Sequence, residues 1–213
     1  MPKALIVWGG WDGHEPEPVA RILADALKGK GFDVEVSNTL DSFKDGDKLK
    51  ALDLIVPEWT MGSIESDQLR PLLEAVSSGV GIAGLHGGMG DSFRMETGFQ
   101  FMVGGQWVAH PGGDGVTYDV IITDKNDPIV KGIADFKVTS EQYYMHVDPG
   151  NHVLAITPFG ETKMPVVWTK MYGEGRVFYS SLGHSAKVAA QTEVLEIMTR
   201  GMLWAARTKL VLP

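Results

Sequence analysis

The chain has 213 residues, a length that suits one large α/β domain, and we predict a single domain over residues 1–213. Hydrophobic residues make up 44% and charged residues 22%, which excludes a disordered, coiled-coil or collagen-like chain. The net charge of −8 argues against binding to nucleic acid or to an anionic membrane surface, because both need a basic face. We therefore expect a small uncharged molecule as the partner.

The sequence contains no cysteine, which removes disulfides, thiolate zinc sites and every mechanism with a cysteine nucleophile. The apolar run near the N-terminus is short and lacks a cleavage site for a signal peptidase, so it predicts a first strand. The longest uncharged stretch, residues 75–90, is too short and too rich in glycine to cross a membrane. We expect a cytoplasmic protein, and leave open whether it forms a homo-oligomer.

The first half of the chain alternates apolar runs with helical periodicities. Residues 4–7 are continuously apolar, as in a parallel strand buried on both faces, and apolar residues at helical spacing follow over 19–27. Further strands are predicted over 32–37, 52–56 and 80–85, and a second helix over 69–76 whose start is left open by Pro71. This order predicts a doubly wound, mostly parallel sheet flanked by helices, of the flavodoxin-like kind.

The second half of the chain has a different pattern of apolar residues. Short strand-like runs over 118–122, 153–156 and 166–168 alternate with turns that contain glycine and proline, which predicts a loop-rich edge sheet. A last core strand over 176–180 and a closing helix over 194–205 complete the pattern.

Polar side chains follow several of the predicted strands. His14 follows the first strand, His86 the fourth and His184 the last core strand, while Glu141 follows a short strand near Phe136. The ligand crevice of an open parallel sheet lies outside the carboxyl ends of its strands, so we expect these side chains to line one pocket. Imidazoles and a carboxylate can transfer protons, which makes His86, His184 and Glu141 candidate catalytic residues and His14 a candidate for substrate binding.

The segment Gly84-Leu-His-Gly-Gly88 has the form of a sharp strand-to-helix turn that exposes its central side chain. Its central residue, His86, cannot follow the acyl-enzyme route that serine or cysteine uses at such a turn. It can act as an acid, a base, a metal ligand or an electrophile. The alternative is a glycine-rich turn whose histidine only hydrogen-bonds a neighbouring carbonyl group.

Residues 141–146 concentrate polar groups in one short stretch. If they form a strand, Gln142, Tyr144 and His146 share one face and Glu141 lies on the other. We take these three as candidates for substrate binding, with a half-exposed edge strand as the alternative. His110, which follows a glycine-rich loop, is a further candidate, with a purely structural role as its alternative.

Tryptophans lie in or beside glycine-rich segments at predicted strand ends, namely Trp8, Trp11, Trp59 and Trp107. Exposed indole faces beside a polar cleft suit sugar rings, which offer an apolar C–H face and a rim of hydroxyl groups. Trp11 and Trp59 are therefore candidates for binding a carbohydrate, and the alternative is that they cap the core. A phosphate or dinucleotide site is not supported. Residues 9–13 are rich in glycine, but they lack the G-x-G-x-x-G signature of dinucleotide-binding folds and the lysine of the P-loop.

Taken in chain order, these motifs resemble the ThuA-like (trehalose utilisation) family of the class I glutamine amidotransferase-like superfamily. The resemblance covers almost the whole chain and rests on Trp11-Asp-Gly-His14, Gly84-Leu-His-Gly-Gly88, Gly104-Gly105, His110-Pro111, Asp127-Pro-Ile129, Glu141-Gln-Tyr-Tyr144, Pro165-Val-Val-Trp168, Tyr172-Gly-Glu-Gly-Arg-Val177 and Leu182-Gly-His184. In the amidotransferases the turn carries cysteine, whereas here it carries His86, and His184 matches the histidine after the last core strand. Glutamine hydrolysis through a thioester is therefore excluded.

The resemblance implies a role in carbohydrate catabolism, on trehalose-related disaccharides or their 3-keto derivatives. It also implies a partner enzyme, a sugar 3-dehydrogenase, that makes the keto sugars. The segment Met89–Phe93 is shorter than in many members of the family, which puts the substrate range in question. A sugar-binding or regulatory protein without catalysis is the alternative function.

The same histidines also predict a possible metal site. Neutral imidazoles and a carboxylate are ordinary ligands of zinc, and a catalytic zinc needs three protein groups and an open position. Three of five residues would suffice to bind zinc or another divalent metal, namely His14, His86, His146, His184 and Glu141. The alternative is a metal-free histidine cluster that holds a sugar by hydrogen bonds.

Overall fold

The computed structural model describes residues 1–208. The strands in this part of the chain are β1 (Lys3–Gly10), β2 (Asp33–Ser37), β3 (Leu54–Thr60), β4 (Gly81–Leu85), β5 (Gly105–Ala109), β6 (Val116–Ile122), β7 (Phe136–Ser140), β8 (Tyr144–Val147), β9 (His152–Phe159), β10 (Thr162–Tyr172) and β11 (Gly175–Ser180). The α-helices are α1 (Pro16–Lys28), α2 (Gly46–Lys50), α3 (Ser66–Ser77), α4 (Gly87–Gly90), α5 (Thr97–Val103), α6 (Ala186–Ala189) and α7 (Thr192–Ala205).

Nine strands form one sheet in the order β2-β1-β3-β4-β11-β10-β9-β6-β7, and β5 pairs with β8 in a separate two-stranded sheet. The five strands from β2 to β11 in this order run parallel. From β11 onward the neighbours are antiparallel. The predicted α/β sheet is confirmed, and the predicted edge region extends the same sheet with antiparallel strands.

The central strands are apolar because both of their faces are covered. Residues 4–7 of β1 are at most 1% exposed and lie between β2 and β3. One face packs against α1 and α7, with Leu23 and Ile197 among the buried residues. The other packs against α3 and α5, with Leu72 and Phe99. Helices on both faces leave the carboxyl ends of the parallel strands as the natural place for a pocket.

Several predicted elements have different bounds in the structure. The second predicted helix, α3, begins at Ser66 and continues through Pro71, while Gln68 accepts a hydrogen bond from the backbone N–H of Glu65 in a capping box. The predicted run over 166–168 is the middle of the much longer β10. Residues 141–143 lie outside any strand and connect β7 to β8. Within residues 1–208, no helix is both long and apolar enough to span a membrane.

Candidate active site

Three histidines and one glutamate meet beyond the carboxyl ends of the parallel strands. His14 lies in a short 3-10 turn after β1, His86 directly follows β4, and His184 lies four residues after β11. Glu141 directly follows β7, so the antiparallel half of the sheet contributes the carboxylate. The convergence predicted for these four residues is therefore present.

One carboxylate oxygen lies at the centre of this group. Glu141 Oε2 lies 3.1 Å from His86 Nε2, 3.3 Å from His184 Nδ1 and 3.6 Å from His14 Nε2. The side chains of His14, His86 and Glu141 are at most 7% exposed, and that of His184 is 13% exposed. We call these four residues the His–Glu cluster.

The turn at His86, which we call the elbow, holds its backbone in a strained conformation. His86 has φ 49° and ψ −128°, a region that residues with a β-carbon rarely adopt. Its N–H donates to the carbonyl oxygen of Ser180 at 2.6 Å, and its own carbonyl oxygen accepts from the Tyr179 hydroxyl group at 2.7 Å. The Tyr143 ring stacks on the imidazole with the ring centroids 4.0 Å apart. These contacts fix the direction in which the imidazole points.

The second nitrogen of each deeply buried imidazole also has a partner. His86 Nδ1 lies 2.9 Å from the carbonyl oxygen of Ser181, and His14 Nδ1 lies 2.8 Å from the Thr60 hydroxyl oxygen. Because a carbonyl oxygen only accepts, His86 Nδ1 carries a hydrogen. In the neutral ring Nε2 is then an acceptor, and it faces the carboxylate.

Burial and neighbouring charges act in opposite directions inside the cluster. Burial lowers the pKa of His86 to about 4, so its ring is neutral at pH 7. Burial opposes the charge of Glu141, but the imidazoles of His14, His184 and His86 outweigh it and hold the pKa of this carboxyl well below its usual range. The Glu141 carboxylate raises the pKa of His184, against a smaller effect of burial. His86 Nε2 lies 3.1 Å from Glu141 Oε2, and a bound cation would satisfy both atoms as ligands.

The donor set of the cluster fits a divalent metal ion. The four ligand atoms lie within 4.8 Å of one another. Ligands at ~2.0–2.1 Å from a tetrahedral ion are about 3.3–3.4 Å apart, close to the three distances around Glu141 Oε2. Hydrogen bonds to the outer nitrogens of His14 and His86 are the usual support of metal-binding histidines. Three nitrogens and one oxygen are a chemistry that zinc accepts.

Two further predicted residues border the cluster. His110 Nδ1 lies 3.7 Å from Glu141 Oε1, and the His110 side chain is 36% exposed. That nitrogen is buried and has no hydrogen-bond partner within residues 1–208. Trp11 is 46% exposed, and the edge-on contact of its ring with His14 has a centroid distance of 4.8 Å. An exposed indole face and a half-exposed imidazole therefore lie at the rim.

Four other predicted residues do not reach the cluster. Gln142 donates to the Thr157 hydroxyl and to the carbonyl oxygen of Pro158, and Tyr144 packs edge-on against Phe159. His146 is exposed on β8, where it pairs with β5, so the prediction of His146 as a metal ligand is wrong. Their side chains alternate with those of Glu141 and Tyr143, which face inward. Trp59 is partly buried and packs in the core on the α3 face.

Sequence reasoning missed several residues that support the cluster. Thr60 ends β3, and the rule that ligands lie beyond the carboxyl ends of strands could have identified it. The Ser181 carbonyl and the Tyr143 ring gave no comparable signal, because their roles depend on tertiary contacts. Asp91 is buried and accepts two hydrogen bonds from Arg94, whose guanidinium lies 4.5 Å from the Trp107 ring centroid. These contacts of Arg94 hold the segment that follows the elbow against β5.

The fold and the site define a class of protein. A mixed α/β sheet with helices on both faces, and a strained residue where β4 meets α4, are consistent with the class I glutamine amidotransferase-like fold, here with histidine at the turn. The sequence model of the family described as "Trehalose utilisation" matches residues 3–205, nearly the entire chain. The chain belongs to this family, ThuA, which ties it to carbohydrate metabolism.

Solved structures share this fold. A protein described as ThuA-like from Parabacteroides merdae matches with a TM-score of 0.79 and 21% identity, over 100% of this chain and 92% of that one. A second, from Bacteroides uniformis, matches with a TM-score of 0.77 and 17% identity, over 96% and 92%. A β-galactosidase from Bacillus circulans has a TM-score of 0.64 and 11% identity, over 94% of this chain but 30% of that one. No curated protein sequence matches the chain.

Proposed function

We propose that the chain is an enzyme of carbohydrate catabolism that acts on trehalose-related disaccharides or their 3-keto derivatives. The observation that carries this proposal is the approach of three imidazole nitrogens to one carboxylate oxygen, at 3.1, 3.3 and 3.6 Å. Buried groups of this kind, at the carboxyl ends of parallel strands, are typical of a site that performs chemistry. The family description, "Trehalose utilisation", supports this substrate class.

In this proposal the His–Glu cluster holds zinc or another divalent metal. Such an ion, when bound, polarises a carbonyl or hydroxyl oxygen and stabilises the negative charge that develops on it. Thr60 and the Ser181 carbonyl keep the rings of His14 and His86 in place through their Nδ1 atoms. The stack of Tyr143 on His86 limits the motion of that ring.

The residues at the rim bind and orient the sugar. The exposed face of Trp11 suits the apolar C–H face of a pyranose ring beside His14. His110 is outside the four-residue donor set, reaches Glu141 Oε1 and is partly exposed to solvent. In this proposal His110 exchanges a proton between the substrate and water. A keto sugar fits this chemistry, since a ketone makes the neighbouring C–H acidic and the next C–O bond labile.

The test is a metal analysis combined with a product analysis. Protein purified without a His-tag or chelator should contain about one zinc or other divalent ion per chain, and Glu141→Gln should contain far less. Incubation with 3-keto-trehalose should change its NMR spectrum with the wild type and not with Glu141→Gln. The matched control is His146→Gln, because His146 is an exposed histidine on β8 that lies outside the cluster.

The outcomes separate enzyme from binder. A sugar that stabilises the protein but keeps its spectrum after long incubation would support a sugar-binding or regulatory protein instead. The metal would be ruled out if the wild-type protein contained far less than one metal ion per chain and if EDTA did not affect its turnover of 3-keto-trehalose. The same histidines would then act by acid–base chemistry without a metal.

The proposal also includes a partner and a location. A 3-keto sugar has to be made by oxidation of a hydroxyl group, so a sugar 3-dehydrogenase is the enzyme that supplies this substrate. We place the activity in the cytoplasm, in line with the expectation from the sequence. One structural neighbour, with 14% identity, is named a cytoplasmic protein of Salmonella typhimurium. Fractionation of the native cells tests the location.

A further inference from the structure

A polar cleft of about 550 Å³ opens beside His184, within the usual range for ligand pockets of roughly 300–1,000 Å³. One wall is β7, which contributes Thr139 and Ser140, and the other is the start of α6 with Ser185. Ser140 immediately precedes Glu141, and Ser185 immediately follows His184. Because His184 itself lines the cleft, a ligand there would lie beside the His–Glu cluster.

The lining of the cleft suits hydroxyl groups. Ser140 is 1% exposed, and its hydroxyl group has no hydrogen-bond partner within residues 1–208. The Ser185 side chain does not cap α6, although Ser185 occupies the capping position. Gln191 donates two hydrogen bonds through Nε2, to the Lys137 carbonyl and to Glu193, which leaves its Oε1 as an acceptor. Most binding pockets for drug-like molecules are apolar, whereas this one offers hydroxyl and amide groups.

The charges around the cleft do not favour an anion. Lys187 is exposed at one side, and Asp114 is 76% exposed at the other, with Oδ2 4.0 Å from His184 Nε2. Lys137 forms an ion pair with Asp119 at 2.7 Å, so its charge is already compensated. Among the described residues that line the cleft, the charges of Lys187 and Asp114 have opposite signs, so the lining is close to neutral, as expected for an uncharged polyol.

We propose that this cleft is the subsite for the second, non-reacting sugar unit of the substrate, and that Ser140, Ser185 and Gln191 determine specificity for it. The reacting unit lies at the His–Glu cluster between Trp11 and His110, and the second unit extends past His184 toward α6. The inference rests on the proposed function for the position of the reacting unit. It adds the location of the preference for two-unit over one-unit sugars, namely Ser140 at the end of β7 and Ser185 and Gln191 on either side of α6.

Binding measurements test the subsite without requiring turnover. Titration calorimetry on zinc-loaded wild-type protein compares trehalose, which has two units, with methyl α-glucoside, which has one. Trehalose should bind more tightly. Ser185→Ala should weaken trehalose binding roughly 2- to 12-fold, the value of one hydrogen bond, and leave methyl α-glucoside unchanged. Ser185→Ala combined with Gln191→Leu should remove most of the preference.

The control is Ser77→Ala, an exposed serine at the end of α3, which should keep the wild-type ratio. Equal affinities of the wild type for both sugars, no detectable binding of either, or a ratio unchanged in the double variant would each overturn the subsite. Tighter binding of glucose 6-phosphate than of trehalose, lost in Lys187→Gln, would assign the cleft to an anionic group instead. If the preference is present but no sugar is turned over, the subsite stands and the catalytic proposal fails.

Discussion

Gly87 and His14 are so close that a β-carbon on Gly87 would stand 2.6 Å from His14 Nδ1. The same atom would stand 2.5 Å from the Thr60 hydroxyl oxygen, which is the partner of that nitrogen. The residue after the strained His86 therefore has to be glycine for His14 and Thr60 to meet. This contact explains why the elbow sequence carries glycine at position 87.

The first prediction follows from this contact. Gly87→Ala should displace the His14 ring from Thr60 and weaken metal binding about 10- to 100-fold, the usual effect of losing such a supporting contact. Competition with a chelator of known affinity measures the change. Gly46→Ala is the control, because its β-carbon would meet only Pro71 Cβ at 3.5 Å, and it should bind metal as the wild type does. Unchanged affinity in Gly87→Ala would show that His14 is not a ligand.

The second prediction concerns the strain at His86. His86→Gly and His86→Ala both remove the imidazole, but only alanine keeps a β-carbon at φ 49°. The glycine variant should therefore be more stable than the alanine variant by about 1 kcal/mol in denaturant unfolding. At His14, whose φ is not positive, the order should reverse, with glycine the less stable. The same order at both positions would contradict strain at the elbow.

The central strands and the flanking helices were predictable because their signals are local. Residues 4–7 and 80–85 are apolar runs, and the buried residues of α1 recur at helical spacing. The pairing of the antiparallel half was not predictable, since β6 lies between β7 and β9, and no local pattern encodes which strands become neighbours. Residues 141–143 look strand-like but lie outside any strand, where Glu141 joins the His–Glu cluster and Tyr143 stacks on His86.

The three histidines of the cluster were predictable from one rule, because each follows a parallel strand, and Glu141 was predictable only because it follows the short strand β7. His146 was a candidate from the same stretch as Glu141, but it does not reach the cluster. Side chains alternate there, and only the set that includes Glu141 and Tyr143 turns inward, while His146 is exposed. A sequence shows that two sets alternate, but which set faces the pocket depends on how β8 docks against β5.

The third prediction concerns an ion pair away from the site. A hydrogen bond from Lys170 Nζ to Asp148 Oδ2, at 2.9 Å, is the main cause that lowers the pKa of Asp148. Because the pKa is lowered in the folded state, the pair stabilises the fold at pH values above ~3.9, the pKa of the unfolded state. This stabilisation is lost as the pH falls through the pKa of the folded state. Asp148→Asn should therefore reduce stability by about 0.2–1 kcal/mol at pH 7, as is usual for partly exposed pairs. Near pH 2 the variant and the wild type should unfold alike.

The same Lys170 provides a comparison for that measurement. It also donates to the carbonyl oxygen of Phe101, so Lys170→Met should cost more than Asp148→Asn at pH 7 and should still destabilise at pH 2. Urea unfolding at the two pH values measures both differences. An Asp148→Asn effect that persisted at pH 2 would mean that hydrogen bonding, and not charge, stabilises this junction between α5 and β10.

The last prediction links the metal to pH. Zinc binds only neutral imidazoles, and the Glu141 carboxylate raises the pKa of His184, so protons compete with zinc at His184 once the pH falls to the region of ~6.5 that is usual for histidine. At pH 8, zinc at 100 times its dissociation constant should stabilise the fold by about 2.7 kcal/mol, or roughly 5–10 °C in melting temperature. At pH 5 the zinc-loaded and EDTA-treated proteins should melt at nearly the same temperature. Glu141→Gln should show a much smaller shift at pH 8, because the carboxylate is the shared centre of the cluster. A zinc-dependent shift that is as large at pH 5 as at pH 8 would remove His184 from the ligand set and place the ion on other groups, such as carboxylates elsewhere.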